Sequence, residues 1–142
     1  MEVRPYKDGD VMKRDDWRGQ VNKHFINLWC QAVPAVTILI DDEIICILMA
    51  SLINETVGQV NVVMSDDISK EPRWVSEQVA EALQFFMAYY KLTRVYTLVD
   101  GGSDRDKKWI ERLGFVQSYV MPEAGSNGSD MIGYTASQIK GD

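Results

Sequence analysis

The order of predicted elements indicates a mixed α/β fold, with a central sheet of about six to seven strands and helices on both faces. Three observations predict it: three β-rich segments in succession between Val36 and Met64, a long amphipathic helix directly after them, and a strand–helix–hairpin series that follows. A meander followed by a helix and another strand requires a crossover, so the sheet mixes antiparallel and parallel strands. The chain has 142 residues without a repeat or a linker-like composition shift, so we expect one domain over residues 1–142.

The first half of the chain is predicted as a strand, a helix and a three-stranded meander. Residues 1–6, MEVRPY, alternate apolar and polar side chains and predict a short strand. The segment from Asp16 to Ala32 has apolar residues at helical spacing, and Pro34 ends that pattern. Between Val36 and Met64, the turns DDE and NETVG separate runs rich in β-branched residues, which predicts three antiparallel strands.

The longest helix is predicted to open in the stretch SKEPRWVSEQVAEALQFF, from Ser69 to Phe86. Pro72 suits its first turn, where a missing N–H costs nothing. An apolar stripe at three- and four-residue spacing predicts one face against the sheet. Phe85 and Tyr89 lie off that stripe, so the helix has a second apolar side, which would fit packing against another protein chain.

The last part of the chain is predicted as strand, short helix and hairpin. RVYTLV reads as a strand, and Ser103 and Asp106 have the spacing of a capping box at a helix start. Gly114 stands where a glycine commonly ends a helix. FVQSYVM and DMIGYTA then form a hairpin across the loop PEAGSNGS.

Composition disfavours several classes of function. The net charge is −6, and the basic residues alternate with acids instead of clustering, so we expect no nucleic-acid partner. Cys30, Cys46 and one histidine offer neither a disulfide framework nor a metal site. No apolar run is long enough to span a bilayer, and the first residues do not form a secretory signal, so a cytoplasmic or other intracellular location is expected.

The element order resembles the GNAT acyltransferase fold. Local matches are the start MEVRPYKDGDV, the strand block from Val36 to Met64, the long helix after it, and the ending KKWIERLGF. The resemblance implies an acetyl-CoA site whose pyrophosphate rests on a turn patterned Arg/Gln-x-x-Gly-x-Gly/Ala. Glycines there let the backbone approach the phosphates, and free N–H groups at the helix start bind them. The residues that the resemblance assigns to the cofactor are Val63, Met64, Arg73, Trp74, Val75, Ser76, Gln78 and Ser103.

The chain departs from the family pattern at this turn. Arg73 matches, but Ser76 and Gln78 stand at the two glycine positions. Asp66, Asp67 and Glu71 are close in sequence, and a carboxylate beside a phosphate is unfavourable. The sequence therefore predicts a degenerate acetyl-CoA site, with coenzyme A as cofactor only if the site still works.

The catalytic positions also differ. Many members of the family carry a tyrosine four residues before the glycine of the lGF ending, as the acid for the departing thiolate, and this chain has Ile110 there. Asp66 and Asp67 are the only candidates for a general base near the sheet's central cleft. Whether the protein is an enzyme stays open at this point.

Three functions are compatible with the sequence. The first is a GNAT-fold protein that no longer transfers acyl groups and serves as a structural or binding subunit of other protein chains; its layout is similar to GNAT-like internal virion proteins of short-tailed bacteriophages. The second is an acetyl-CoA-dependent N-acetyltransferase acting on an amine, for which an acidic surface is suitable. The third is an acidic inhibitor or adaptor that binds a basic surface of a host protein.

Overall fold

The central feature of the computed structural model, which describes residues 1–19 and 21–140, is a seven-stranded sheet. The strands are β1 (Glu2–Pro5), β2 (Ala35–Ile40), β3 (Glu43–Leu52), β4 (Val57–Met64), β5 (Arg94–Asp100), β6 (Val116–Met121) and β7 (Met131–Ala136). Their order across the sheet is β1-β2-β3-β4-β5-β7-β6. All neighbouring pairs are antiparallel except β4 and β5, which are parallel.

The sheet is covered by helices on both faces. The helices are α1 (Lys23–Ala32), α2 (Pro72–Tyr89) and α3 (Asp104–Arg112). One apolar cluster lies under α1 and draws on β2, β3 and β4; the larger cluster packs α2 and α3 against the other face. The predicted fold class is therefore confirmed. None of the helices in the described part of the chain is long and apolar enough to cross a membrane.

The first helix begins at Lys23 and not at Asp16 as the sequence pattern predicted. Asn22 is its N-cap, and the Asn22 side chain accepts a hydrogen bond from the amide of Phe25 at 3.1 Å. The predicted helix also includes Gln20, which lies outside the described residues. Trp17, which the predicted helix included, instead forms an isolated antiparallel bridge with Ser65.

The start of the chain is held by a buried carboxylate. Asp10 has no exposed surface, and it accepts hydrogen bonds from both terminal nitrogens of Arg4 at 2.7 and 3.1 Å. The amide of Lys7 and the hydroxyl of Thr37 donate two more, at 2.9 and 2.8 Å. Burial alone would raise the pKa of Asp10, but these donors outweigh it and the pKa lies below its ordinary value.

The sequence signals at both ends of α3 are confirmed, although the capping box at its start is only half formed. The hydroxyl of Ser103 accepts the amide of Asp106 at 3.3 Å, as a helix N-cap does. The return bond of a capping box is not made, because the Asp106 carboxylate binds Arg18. Gly114 ends the helix at φ +104°, and a Cβ there would lie 2.8 Å from the carbonyl oxygen of Gln138.

Candidate functional site

The parallel strands β4 and β5 separate after three paired residues and leave a cleft in the middle of the sheet. Val57–Gln59 pair with Arg94–Tyr96, and the pairing stops there. Past this point the strands enclose a cavity of about 390 Å³ on the α3 side. The amide of Ser65 bonds across to β3, at Ile45. The Met64 carbonyl belongs to the same peptide group as this amide and points the opposite way, so it faces the cleft.

The chain itself occupies the open edge of β4. The amide of Arg18 donates to the Met64 carbonyl at 2.8 Å, next to the bridge between Trp17 and Ser65. Trp17 is buried in the α1-side cluster, and its indole N–H donates to the Val11 carbonyl at 2.9 Å. Arg18 lines the cavity on the opposite side of the sheet. Trp17 and Arg18 thus cross the cleft in an extended form, with one side chain on each side.

The guanidinium of Arg18 ties together the two walls of the cleft. Its Nε donates to Asp66, just past β4, at 2.7 Å, and a terminal nitrogen donates to Asp106 on α3 at 2.9 Å. The Arg18 side chain is only 14% exposed. The hydrogen bond and charge of Arg18 are the main reason that the pKa of Asp66 lies below its ordinary value.

The two aspartates predicted as candidate bases are both paired with arginines. Asp66 binds Arg18, and Asp67 binds Arg14 at 2.7 Å. A carboxylate whose pKa is lowered, as that of Asp66 is, accepts a proton less readily. Their role as bases stays a prediction, and this pairing gives it no support.

The predicted phosphate turn lies at the start of α2. The helix has Glu71 at its N-cap without a side-chain hydrogen bond, and Pro72 supplies no N–H. The amide of Val75 already donates to the Glu71 carbonyl at 3.0 Å. In the first turn, the amides of Arg73 and Trp74 are therefore the donors that helix geometry leaves for an anion.

Trp109 on α3 stands between this helix start and the central cleft. Its indole N–H donates to the Ser76 hydroxyl at 2.6 Å, and the indole is buried. Trp109 lines the central cavity and also a separate groove of about 580 Å³ beside Pro72 and Arg73. A ligand that reaches from the start of α2 into the cleft would have to pass this side chain.

The structure divides the residues predicted for the cofactor among several places. Met64 and Ser103 line the central cavity, whereas Arg73 and Ser76 line the groove beside α2. The others line neither space: Val63 is buried in the α1-side cluster, Val75 is buried in the main core, Trp74 packs against that core, and Gln78 is half-buried on α2. Their cofactor role stays a prediction.

Sequence reasoning missed Arg18 and Asp106. Arg18 stands in the run KRDDWRG, where alternating charges read as a solvated surface, and Asp106 was assigned only to a helix cap. The only available signal was the spacing of Trp17 and Arg18, which in an extended chain point to opposite sides. That signal is too short to be recognised without the sheet.

The residues present fit coenzyme A poorly in this arrangement. Arg18 occupies the open edge of β4 and bridges the walls of the cleft, and Trp109 separates the cleft from the start of α2. The start of α2 has carboxylates near it in sequence and no glycine to admit a phosphate closely. Ile110, at the position of the family's acid, is buried and has no proton to donate.

Comparison with solved structures identifies the fold of this architecture. Ard1 from Thermoplasma volcanium superposes with a TM-score of 0.79 at 12% identity, covering 98% of each chain. The chain has the GNAT fold. A GNAT family acetyltransferase from Elizabethkingia anophelis with acetyl-CoA bound has a TM-score of 0.73 at 12% identity, covering 96% of this chain and 97% of that one.

A further GNAT-fold neighbour acts on a polyamine according to its name. A variant of spermidine N-acetyltransferase SpeG from Vibrio cholerae has a TM-score of 0.73 at 14% identity, covering 97% of this chain and 95% of that one. At such identities the likeness to these structures shows the fold alone. No protein-family model matches the sequence, and no curated protein is detectably similar to it.

Proposed function

We propose that this GNAT-fold protein does not transfer acyl groups and serves as a structural or binding subunit. The observation that carries the proposal is Arg18, whose backbone bonds to the open edge of β4 and whose side chain bridges Asp66 and Asp106 across the cleft. A ligand that pairs with the open edge of β4 would first have to displace this part of the chain.

The displacement has a calculable effect on affinity. Freeing Arg18 breaks a backbone hydrogen bond, worth about 1 kcal/mol, and a partly buried bond to charged Asp106, worth about 1.5–3 kcal/mol. The total of about 3 kcal/mol weakens the apparent affinity of any competing ligand by about a hundredfold. An ordinary micromolar cofactor site would therefore bind in the range of about 100 μM.

The residues predicted to carry out acid–base chemistry in the cleft are poorly suited to it. Ile110 replaces the family's acid, and both aspartates at the end of β4 are held by arginines. The position of the family's acid thus offers no proton to a displaced thiolate, and the two aspartates predicted as bases are already paired. This supports a binding role over a catalytic one.

We further propose that the chain is an internal virion component of a short-tailed bacteriophage. The support is the sequence layout: VRPYKDGD at the start, VMSDD before a divergent long helix, and KKWIERLGF near the end. Mass spectrometry of purified particles from a phage that encodes the chain should find it in the virion. Its detection only in the infected-cell lysate, and never in particles, would contradict this part of the proposal.

Titration calorimetry with acetyl-CoA tests the non-catalytic proposal. Wild-type protein should give no saturable heat at micromolar ligand. A dissociation constant of about 10 μM or tighter for wild type would overturn the proposal. Lys107→Ala, which removes an ion pair outside the cleft, is the matched control for the Arg73→Ala variant of the next test and should leave the titration as in wild type.

An N-acetyltransferase acting on an amine is the second candidate. It is favoured by the retained separation of β4 and β5 and by the N-acetyltransferases that share the fold. This function requires micromolar acetyl-CoA affinity that Arg73→Ala weakens, together with acetylation of an amine acceptor. Binding that Arg73→Ala leaves unchanged would show that the start of α2 is not the cofactor site.

A further inference from the structure

One face of α3 carries a row of basic residues. Arg105, Lys108 and Arg112 are separated by acidic residues in the sequence, but their three- and four-residue spacing puts them on the same side of the helix. All three residues are exposed. Helix stability does not explain the row, because Arg105 in the first turn opposes the helix dipole, and Lys108 and Arg112 place like charges one turn apart.

The row continues into the groove beside the start of α2. Arg112 lines this groove of about 580 Å³ together with Arg73, and it also lines an adjoining groove of about 690 Å³ with the other two cations of α3. The hydrogen bond that Trp109 donates to α2 joins the two helices, so the grooves form one surface. We call its four cations the basic surface: Arg73, Arg105, Lys108 and Arg112.

The carboxylates of the chain do not balance the basic surface. Within the described residues, Arg105 is its only member that forms an ion pair, and the nearest partner, Asp66 at 3.5 Å, is 79% exposed. The two grooves contain the carboxylates of Glu77 and Glu111, and Glu111 already accepts the hydroxyl of Tyr134 at 3.0 Å. The surface is therefore positive, although the whole chain carries a net charge of −6.

We propose that the basic surface binds an acidic segment of a partner protein in extended form. Neighbouring cations of the α3 row are three and four residues apart, which is about 4.5 and 6 Å along the helix. In an extended peptide, side chains on one side recur about every 6.6–7 Å. A segment with Asp or Glu at every second position can therefore place one carboxylate beside Lys108 and the next beside Arg112. The arginines of the surface can each bind a carboxylate through two parallel hydrogen bonds.

Charge favours a short acidic protein segment over nucleic acid. A DNA duplex carries one negative charge per about 1.7 Å of its axis and would meet the acidic remainder of the chain beyond the row. A short segment touches only the basic surface, whose members are exposed and can be reached without moving any element. Exposed charge pairs are weak in water, so we expect a dissociation constant of about 100 μM at low salt. This inference names a kind of partner for the binding subunit proposed above and rests on that proposal.

An NMR titration of the full chain, labelled with ¹⁵N, tests this assignment. The probe is a peptide that repeats Asp-Gly four times, and the matched peptide repeats Asn-Gly. At an ionic strength of about 0.01 M, the Asp peptide should shift the amides of α3 and of the start of α2, and the Asn peptide should not. Raising the salt to about 1 M should abolish the shifts, because the screening length then falls to about 3 Å.

Charge-reversal variants test which side chains bind the peptide. Lys108→Glu and Arg112→Glu should each weaken binding of the Asp peptide at least about tenfold, because an attraction becomes a repulsion. Both positions are exposed, so amide shifts outside α3 should stay as in wild type. Lys7→Glu makes the same change of charge at an exposed residue beyond β1, at the edge of the sheet, and should alter the affinity less than about twofold.

Several outcomes would overturn the proposal. These are no saturable shift with the Asp peptide, shifts centred away from the basic surface, equal binding of the Asn peptide, or equal weakening by Lys7→Glu. A short DNA duplex or inorganic phosphate that shifts the same amides at lower concentration would make the surface a phosphate site instead. Shifts that appear on raising the protein concentration alone would assign it to a second copy of the chain. Tight acetyl-CoA binding would overturn the proposed function, whereas absent peptide binding overturns only the partner inferred here.

Discussion

Replacing Arg18 with alanine should lower the free energy of unfolding by about 2 kcal/mol. The bond to Asp106 joins side chains that are 14% and 19% exposed, and such a charge-assisted bond contributes about 1.5–3 kcal/mol. The bond to Asp66 adds little, because that carboxylate is 79% exposed and solvent screens it. The backbone bond from residue 18 to Met64 remains, since alanine keeps the amide.

Urea unfolding followed by tryptophan fluorescence measures this loss. With a slope of about 2 kcal/mol per molar urea, the midpoint should fall by about 1 M. Lys107→Ala removes a bond of 3.1 Å to an 86% exposed carboxylate and should cost less than about 0.5 kcal/mol. Equal midpoints for the two variants would refute the view that Arg18 holds the two walls of the cleft together.

An NMR titration of Asp66 gives an independent check of the same contact. Because Arg18 is the main cause of its lowered pKa, the pKa of Asp66 should rise towards its ordinary value in Arg18→Ala. A pKa that does not move would mean that the guanidinium does not hold Asp66 in solution.

Three further predictions concern the fold. Asp10→Asn should lower the free energy of unfolding in urea by about 3 kcal/mol, because it leaves Arg4 without its buried counterion. The pKa of Asp10 is lowered in the fold, so the stabilisation by its carboxylate is complete above the ordinary aspartate pKa and is lost as the pH falls through the folded value. The difference in stability between wild type and the variant should therefore shrink in acid. Gly114→Ala should lower the melting temperature by several degrees, a residue at φ +104° being strained with any side chain; an unchanged temperature would contradict that geometry. Burial raises the pKa of Cys46 to about 12 and that of Cys30 to about 11, so a thiol reagent at neutral pH should label neither before unfolding, and rapid labelling of native protein would count against the core.

Local patterns sufficed for most elements of this chain. The turns between β2, β3 and β4, the proline at the start of α2 and the glycine after α3 each act on neighbouring residues, so their outcome can be read from the sequence. The predicted start of α1 was wrong because the bridge of Trp17 to Ser65, 48 residues away, holds the chain in an extended form before Asn22 caps the helix.

The candidate site was much less predictable than the fold. Arg73 and Ser76 were placed near each other by one helical turn, but their relation to Trp109 depends on how α2 packs against α3. The role of Arg18 depends on Asp66 and Asp106, which are 48 and 88 residues away in sequence. Contacts at such separations leave no periodicity to detect.

By itself, the sequence determined the mixed sheet, the order of its elements and the loss of the glycines and of the tyrosine in the family pattern, because these follow from residue type and short-range spacing. Only the tertiary structure decided that the open edge of β4 is occupied by the chain's own Arg18 and that β6 is left as an uncharged edge strand. The physical reason is that hydrogen bonds, ion pairs and exposure are settled by which segments meet in space.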